Sequence, residues 1–304
     1  MRFKTIVRLG RDTVTEGLED NVPLLAAALA YYTMFSLAPL LIIAIAIVGA
    51  IYGEDAARGE IVRQIQGLVG RDGAEFIQSM IQNASQPGSG GGVATLVGVV
   101  LLIFGASGVF GQLQAALNTI WEVKPKPGRA VKSFLQSRFL SFAMVLVIGF
   151  LLLVSLVLSA VFSGVSGYFG SFLPESFKVA QILDFAISLG LATLLFASIY
   201  KFLPDVKVPW KNLWVGSAVT ALLFNVGKFL IGLYLGNSSV GSTYGAAGSL
   251  VVVLLWVFYS AQILLFGAEF TQVYSKYRGR PIEPSSHAVS VKEETIDSAT
   301  ERDQ

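Results

Sequence analysis

The chain has 304 residues, 54% of them hydrophobic and only 14% charged, with a formal net charge of +2. Soluble domains carry about 25% charged residues, so this balance, with a mean hydropathy of +0.66, points to a chain whose solvent is mostly hydrocarbon. There is no cysteine and a single histidine, His287, which excludes disulfides, thiolate metal sites, thiol nucleophiles, histidine metal clusters and an intrachain serine–histidine relay.

Phe3, Ile6, Val7, Val14 and Leu18 recur at helical spacing among charged residues, which predicts an amphipathic helix within 1–23 lying in the membrane interface. A helix needs about 20 apolar residues to cross a ~30 Å hydrocarbon core. Six segments reach that length: 24–52, 93–121, 139–166, 180–203, 209–236 and 245–274. The expected fold is all-α, a polytopic bundle of six transmembrane helices over 24–278 with short amphipathic interfacial helices. The first span reads as a retained anchor, because Glu16, Glu19 and Asp20 precede it and it is too long for a signal-peptide core. Pro39 within it removes a backbone hydrogen bond and frees the carbonyl of Phe35, so a kink is expected there.

After the first span, Ile61, Ile65, Leu68, Phe76, Ile77, Met80 and Ile81 form a second amphipathic stretch, broken at Arg71-Asp72-Gly73. Residues 56–82 are expected to cap the bundle or to offer a surface to a partner. The Gly/Ser-rich stretches 86–92 and 236–245 read as loops, the latter uncharged and including Tyr244. From 279 to 304 the chain is polar and is expected to be disordered.

The basic residues set the orientation. Arg2, Lys4, Arg8 and Arg11 precede the first span. Lys124, Lys126, Arg129, Lys132 and Arg138 follow the second, and Lys201, Lys207 and Lys211 join the fourth to the fifth. Lys276, Arg278, Arg280, Lys292 and Arg302 follow the sixth. These alternate compartments hold 17 of the 22 basic residues, against Arg58, Arg63, Arg71 and Lys178 on the other side. Basic residues stay in the cytoplasm, so both termini are expected to be cytoplasmic.

Ionisable groups inside a membrane cost several kcal/mol when they face lipid and often mark function. Lys228 lies 18 residues past Trp210, about 27 Å, and Asp184 lies 17 residues before Lys201, about 25 Å from the same surface. The two are expected to pair at nearly equal depth, with Asn225 one turn from Lys228 on the same face. Lys228 could instead snorkel outward or hold an anionic lipid headgroup. Glu269 is expected to pair with Lys201 or Lys211, with Gln262 two turns above it. Tyr31, Tyr32 and Ser36 add polarity ahead of Pro39. Ser107/Gly111 and Gly232/Gly236, each four apart, suit close helix approach.

Four stretches together resemble the YihY/BrkB family of bacterial inner-membrane proteins, once labelled ribonuclease BN-like. They are AAALAYYTMFSLAPLL, GASGVFGQLQAALNTIW, YKFLPDVKVPW and STYGAAGSLVVVLLWVFYSAQILLFGAEF. The resemblance runs from about residue 5 to about residue 278. It implies six membrane helices, a part in envelope integrity and serum resistance, and movement of lipids or other solutes. The old nuclease label does not suit these residues: metal-dependent RNA hydrolysis needs clustered carboxylates or histidines, whereas Asp184 and Glu269 fall on opposite sides.

Two readings follow. In one, the protein is a transporter-like protein moving lipids or amphiphilic, anionic solutes along a path that includes Lys228, Asp184, Asn225, Tyr31, Tyr32, Ser36, Tyr244, Gln262 and Glu269. In the other it is a non-transporting scaffold that binds an envelope protein through 56–82. A polar cleft reaching Lys228 would favour the first and a sealed bundle the second. No catalytic residue, metal, cofactor or nucleic-acid partner is expected, and no ATP-binding loop of the GxxxxGK[ST] type is present.

Overall fold

The structure is a computed structural model that describes residues 3–85, 105, 108–126, 176–237, 247–279 and 282–291. An amphipathic helix α1 (Phe3–Glu19) leads into α2 (Val22–Tyr52), and Gly53 turns the chain into α3 (Glu54–Ser85). Helix α4 covers 108–120. Helices α5 (Ser176–Phe202), α6 (Trp210–Asn237) and α7 (Gly248–Tyr277) complete the helical set. Four of them contain stretches long and apolar enough to cross a membrane: Val22–Ala50, Phe185–Phe202, Trp210–Ile231 and Gly248–Tyr277. The expected span over 139–166 lies outside the described residues, as do most of 93–107.

Helix α7 is the centre of the assembly, packing against α1, α2, α3 and α6, while α5 packs on α6 and α3 on α2. Among helices in lipid the hydrophobic effect supplies little, so close contact and hydrogen bonds decide the packing. The α6–α7 seam shows how. Thr220 donates to the carbonyl of Gly216 and Thr271 to that of Gly267, both at 2.8 Å. Each glycine faces the other helix's threonine: a Cβ at Gly216 would strike Thr271, and one at Gly267 would strike Thr220 and come within 2.6 Å of the Tyr200 hydroxyl. Tyr200 ties α5 into the seam by donating to the carbonyl of Leu264 at 2.6 Å. These two Gly-x-x-x-Thr segments make close contacts that the sequence did not single out; of the expected pairs, Ser107 lies outside the described residues and positions 232 and 236 outside the described side chains.

Two tight turns rest on glycine. Gly53, with φ 86°, separates α2 from α3 by a single residue, and Gly70, with φ 78°, bends α3. The left-handed region suits glycine alone at little cost. The bend falls next to the expected break at Arg71-Asp72-Gly73. On either side of it Ile61, Val69, Ile77 and Ile81 are buried against Met34, Ala44 and Ile45 of α2 and Val253 of α7. The apolar face of α3 is thereby consumed as a cap on the bundle.

Helix α2 runs through Pro39 as one helix, and Gly105 packs against the proline ring, 3.0 Å from where its Cβ would stand. Ser36 donates to the carbonyl of Gly105.

The expected disorder of 279–304 needs correction over 282–291. Strand β1 (Val123–Pro125) pairs antiparallel with β4 (Ala288–Ser290), and β2 (Val206–Lys207) with β3 (Glu283–Pro284). The polar composition misled because backbone hydrogen bonds and two small apolar anchors hold the segment. Val291 N–H donates to the carbonyl of Glu122 at 2.7 Å and Lys126 N–H to that of His287 at 2.9 Å. Ala288 is buried, and Ile282 packs on the main core.

Candidate functional site

Polar and charged side chains gather at the end of the bundle where α7 finishes. One group centres on Asp205, in the bend after α5 and 6% exposed. Its carboxylate accepts from Asn118 Nδ2 at 2.9 Å and Gln114 Nε2 at 3.3 Å, both on α4 and one turn apart. His287 Nε2 lies 2.9 Å from the same carboxylate. Asp205 N–H donates back to Asn118 Oδ1 at 2.9 Å, and the Asp205 carbonyl accepts from Ser285 N–H at 2.9 Å. A buried carboxylate held by this many donors is satisfied, so it clasps α4, the α5–α6 link and the strand segment together.

The second group surrounds Glu269 on α7. Glu269 is fully buried, and no hydrogen-bond donor reaches either carboxylate oxygen. The group facing it is another carboxyl, Asp20, at the turn between α1 and α2. Nearby, Lys276 Nζ bridges Glu16 at 3.2 Å and Glu122 at 3.3 Å, and Gln272 Nε2 donates to Glu122 at 3.2 Å. Burial pushes the Asp20 carboxyl above its ordinary range, helped by the charges of Glu122 and Glu16 and opposed by its contact with Glu269 and by Lys276.

Neither expected partner reaches Glu269. Lys201 Nζ donates to the carbonyl of Val208 at 2.7 Å and sits 5.3 Å from the Trp210 ring centre. Lys211 is exposed. The expectation failed because it used depth along the helix alone, without the rotation that turns Glu269 toward α1.

The remaining candidates do not meet in one polar cleft among the described residues. Lys228 is exposed on α6. The backbone of Asp184 lies in α5, but its side chain lies outside the described ones, as does Tyr244, so the expected Lys228–Asp184 pair falls beyond them. Asn225 donates to its own helix at Ala221, at 2.9 Å. Ser36 is spent on Gly105, and Gln262 is half-buried. Tyr31 and Tyr32 are 61% and 43% exposed, with Tyr31 packed against Phe35 at 4.9 Å between ring centres.

Tyr31 instead edges an apolar groove of about 280 Å³ between α2 and α7, lined by Ala27, Ala30, Val251, Leu254, Leu255 and Phe258. Tyr31 is ten residues past Asn21, about 15 Å along α2, which is half of a ~30 Å hydrocarbon core.

Sequence reasoning missed Asp20, Gln114, Asn118, Glu122, Asp205 and His287. Gln114, Asn118 and Asp205 stand inside the stretches that carried the family resemblance, so their signal was present as motif membership. His287 had none, because it lies in a segment whose order comes from partners far away in the chain.

The profile of the family described as "Virulence factor BrkB" matches residues 13–291. A UPF0761 membrane protein of Pseudomonas aeruginosa (strain LESB58) is 28% identical over 272 residues, covering 88% of this chain and 62% of that one. A relative of the same description from Rhodospirillum centenum is 29% identical, covering 92% of this chain and 60% of its own. A third, from Alteromonas mediterranea, is 27% identical and covers 83% of each. The chain thus spans about three fifths of the length of the Pseudomonas and Rhodospirillum relatives. No solved structure matches it. With the matched region reaching from within α1 through the strand segment, the chain belongs to the virulence factor BrkB family of membrane proteins.

Proposed function

We propose that this protein is an inner-membrane, transporter-like protein that engages lipid acyl chains through the lateral groove between α2 and α7. The observation that carries the reading is the groove itself, lined by apolar side chains; counted by helix rise from Asn21, it would lie near the middle of a ~30 Å hydrocarbon core. Its volume falls just under the ~300 Å³ at which small-molecule pockets begin, so it suits one acyl chain and not a whole polar solute. The tyrosine at its edge adds an amphipathic contact where a chain would enter. Both termini are cytoplasmic in this reading, with six spans in all, because 17 of the 22 basic residues fall on one side.

The polar cleft to Lys228 expected of a transporter is not formed among the described residues, so the reading rests on the apolar groove. The scaffold reading places a partner on 56–82, where Ile61, Val69, Ile77 and Ile81 are already packed on α2 and α7.

The test is reconstitution in vesicles carrying a fluorescent phospholipid, with lipid movement followed by quenching from outside. Ala30, 5% exposed, lines the groove floor. The wild-type protein is expected to speed movement over empty vesicles, and Ala30→Trp is expected to remove most of the gain. No acceleration by the wild type, or an unaltered rate in Ala30→Trp, contradicts the reading.

A further inference from the structure

Helix α1 lies across the last turns of α7. Leu9 packs against Val273 and Tyr274, and Thr13 is buried below it. Gly17 lets the Phe266 ring and Glu269 come close: a Cβ there would stand 3.5 Å from Glu269 Cγ. This docking turns the buried, donor-less carboxyl of Glu269 toward Asp20. The charged groups facing the pair are Glu16 from α1, Glu122 from the turn after α4 and Lys276 from α7. Lys276 is already bound to both Glu16 and Glu122. Among the described residues, four carboxyls therefore share one ammonium, and the fully buried one, Glu269, receives no donor from the protein.

Two facing carboxylates repel each other, and ionising the fully buried Glu269 beside Asp20 adds a desolvation cost. One proton between them replaces that repulsion with a short, charge-assisted O–H···O⁻ bond. A hard divalent ion would ask for six or more oxygens, and among the described residues no group of three Asp, Glu, His or Cys side chains is arranged to hold a metal.

We propose that Asp20 and Glu269 bind a single proton between them, and that this proton keeps α1 docked on α7. The sign follows by linkage. A carboxyl that holds its proton more tightly when docked stabilises the docked state at low pH, and that stability falls as pH rises above the ordinary carboxylate range through the pair's own titration.

The 304-residue chain lacks cysteine, so a single thiol reports docking cleanly. Thr13→Cys probes the buried face of α1, and Gly10→Cys, exposed on the same helix, corrects for thiol ionisation. The labelling ratio of Thr13→Cys to Gly10→Cys is expected to rise from mildly acidic to mildly alkaline buffer. In the Glu269→Gln background it should stay low throughout, because the amide donates where the proton did. Infrared difference spectra of the cysteine-free chain at neutral pH should show the carbonyl band of a protonated carboxylic acid, lost in Glu269→Gln. Should Glu269→Gln fail to fold, Asp20→Asn must show the same two effects. A ratio that does not change with pH overturns the proposal, as does a band that persists in both variants. Loss of the wild-type band on adding sodium at fixed pH also overturns it, since a metal cation would then be the occupant.

Discussion

At the end where α7 finishes, the buried carboxylate of Asp205 takes donors from Gln114, Asn118 and His287. At the other end α3 brings Ile61, Val69, Ile77 and Ile81 onto α2 and α7. Both close a helical bundle, by different physics. Hydrogen bonds to a buried charge have strict geometry and fix one arrangement, whereas apolar side chains need only fit and tolerate substitution of similar volume. The first end suits a place where state matters, the second a place where coverage matters.

The largest difference between the two ends should appear on removing Asp205. Asp205→Ala strands the buried Asn118 amide, at a cost of about 1–3 kcal/mol, and takes one hydrogen bond from the partly exposed His287, worth about 1 kcal/mol. We expect a loss of about 3 kcal/mol in denaturant unfolding of the purified protein, with protease cutting within 282–291 well before α3 is touched. Equal protection of that segment in the variant would break the contrast. At the apolar end, Ile77→Ala should cost about 2 kcal/mol, at the low end of buried aliphatic truncations, while Ile77→Leu should cost under about 1.5 kcal/mol. A Leu variant as damaged as the Ala one would show that the α3 cap is as exacting as the polar end.

A comparable loss of about 2 kcal/mol is expected for Gly267→Ala, because the added methyl meets the Thr220 and Tyr200 hydroxyls in a seam with no slack. His287→Ala should cost about 1 kcal/mol, one hydrogen bond from a 28%-exposed side chain. Lys228→Ala, at an exposed site, should stay within about 0.5 kcal/mol in the same assay. A large loss at Lys228 would restore the pair with Asp184 that the sequence suggested.

Hydropathy and helical periodicity made the elements legible. The first span, 24–52, the amphipathic 56–82 with its break, and the spans at 180–203, 209–236 and 245–274 lie within a few residues of α2, α3, α5, α6 and α7. Those signals are local, one face or one run at a time. The candidate site was less legible. Glu269 was singled out from its depth, yet its neighbour Asp20 lies at a turn some 250 residues away in the chain, and hydropathy cannot carry such a relation. Asp205 and His287 sat in segments read as a loop and a disordered tail, and what orders them is each other. Lys228 drew attention as a charge in an apolar run, but a long side chain at a helix surface can escape the cost that made it conspicuous.

Groove and bulk lipid face can be separated directly. A photoreactive phenylalanine analogue at Leu255, in the groove, and one at Phe229, 66% exposed on α6, sample two apolar surfaces of the same protein in native membranes. After irradiation and mass spectrometry, phospholipid adducts should be markedly enriched at 255 over 229, and Ala30→Trp should erase the enrichment. Equal adduct yields at the two positions would mean that lipid only bathes the groove, and would contradict the proposed function.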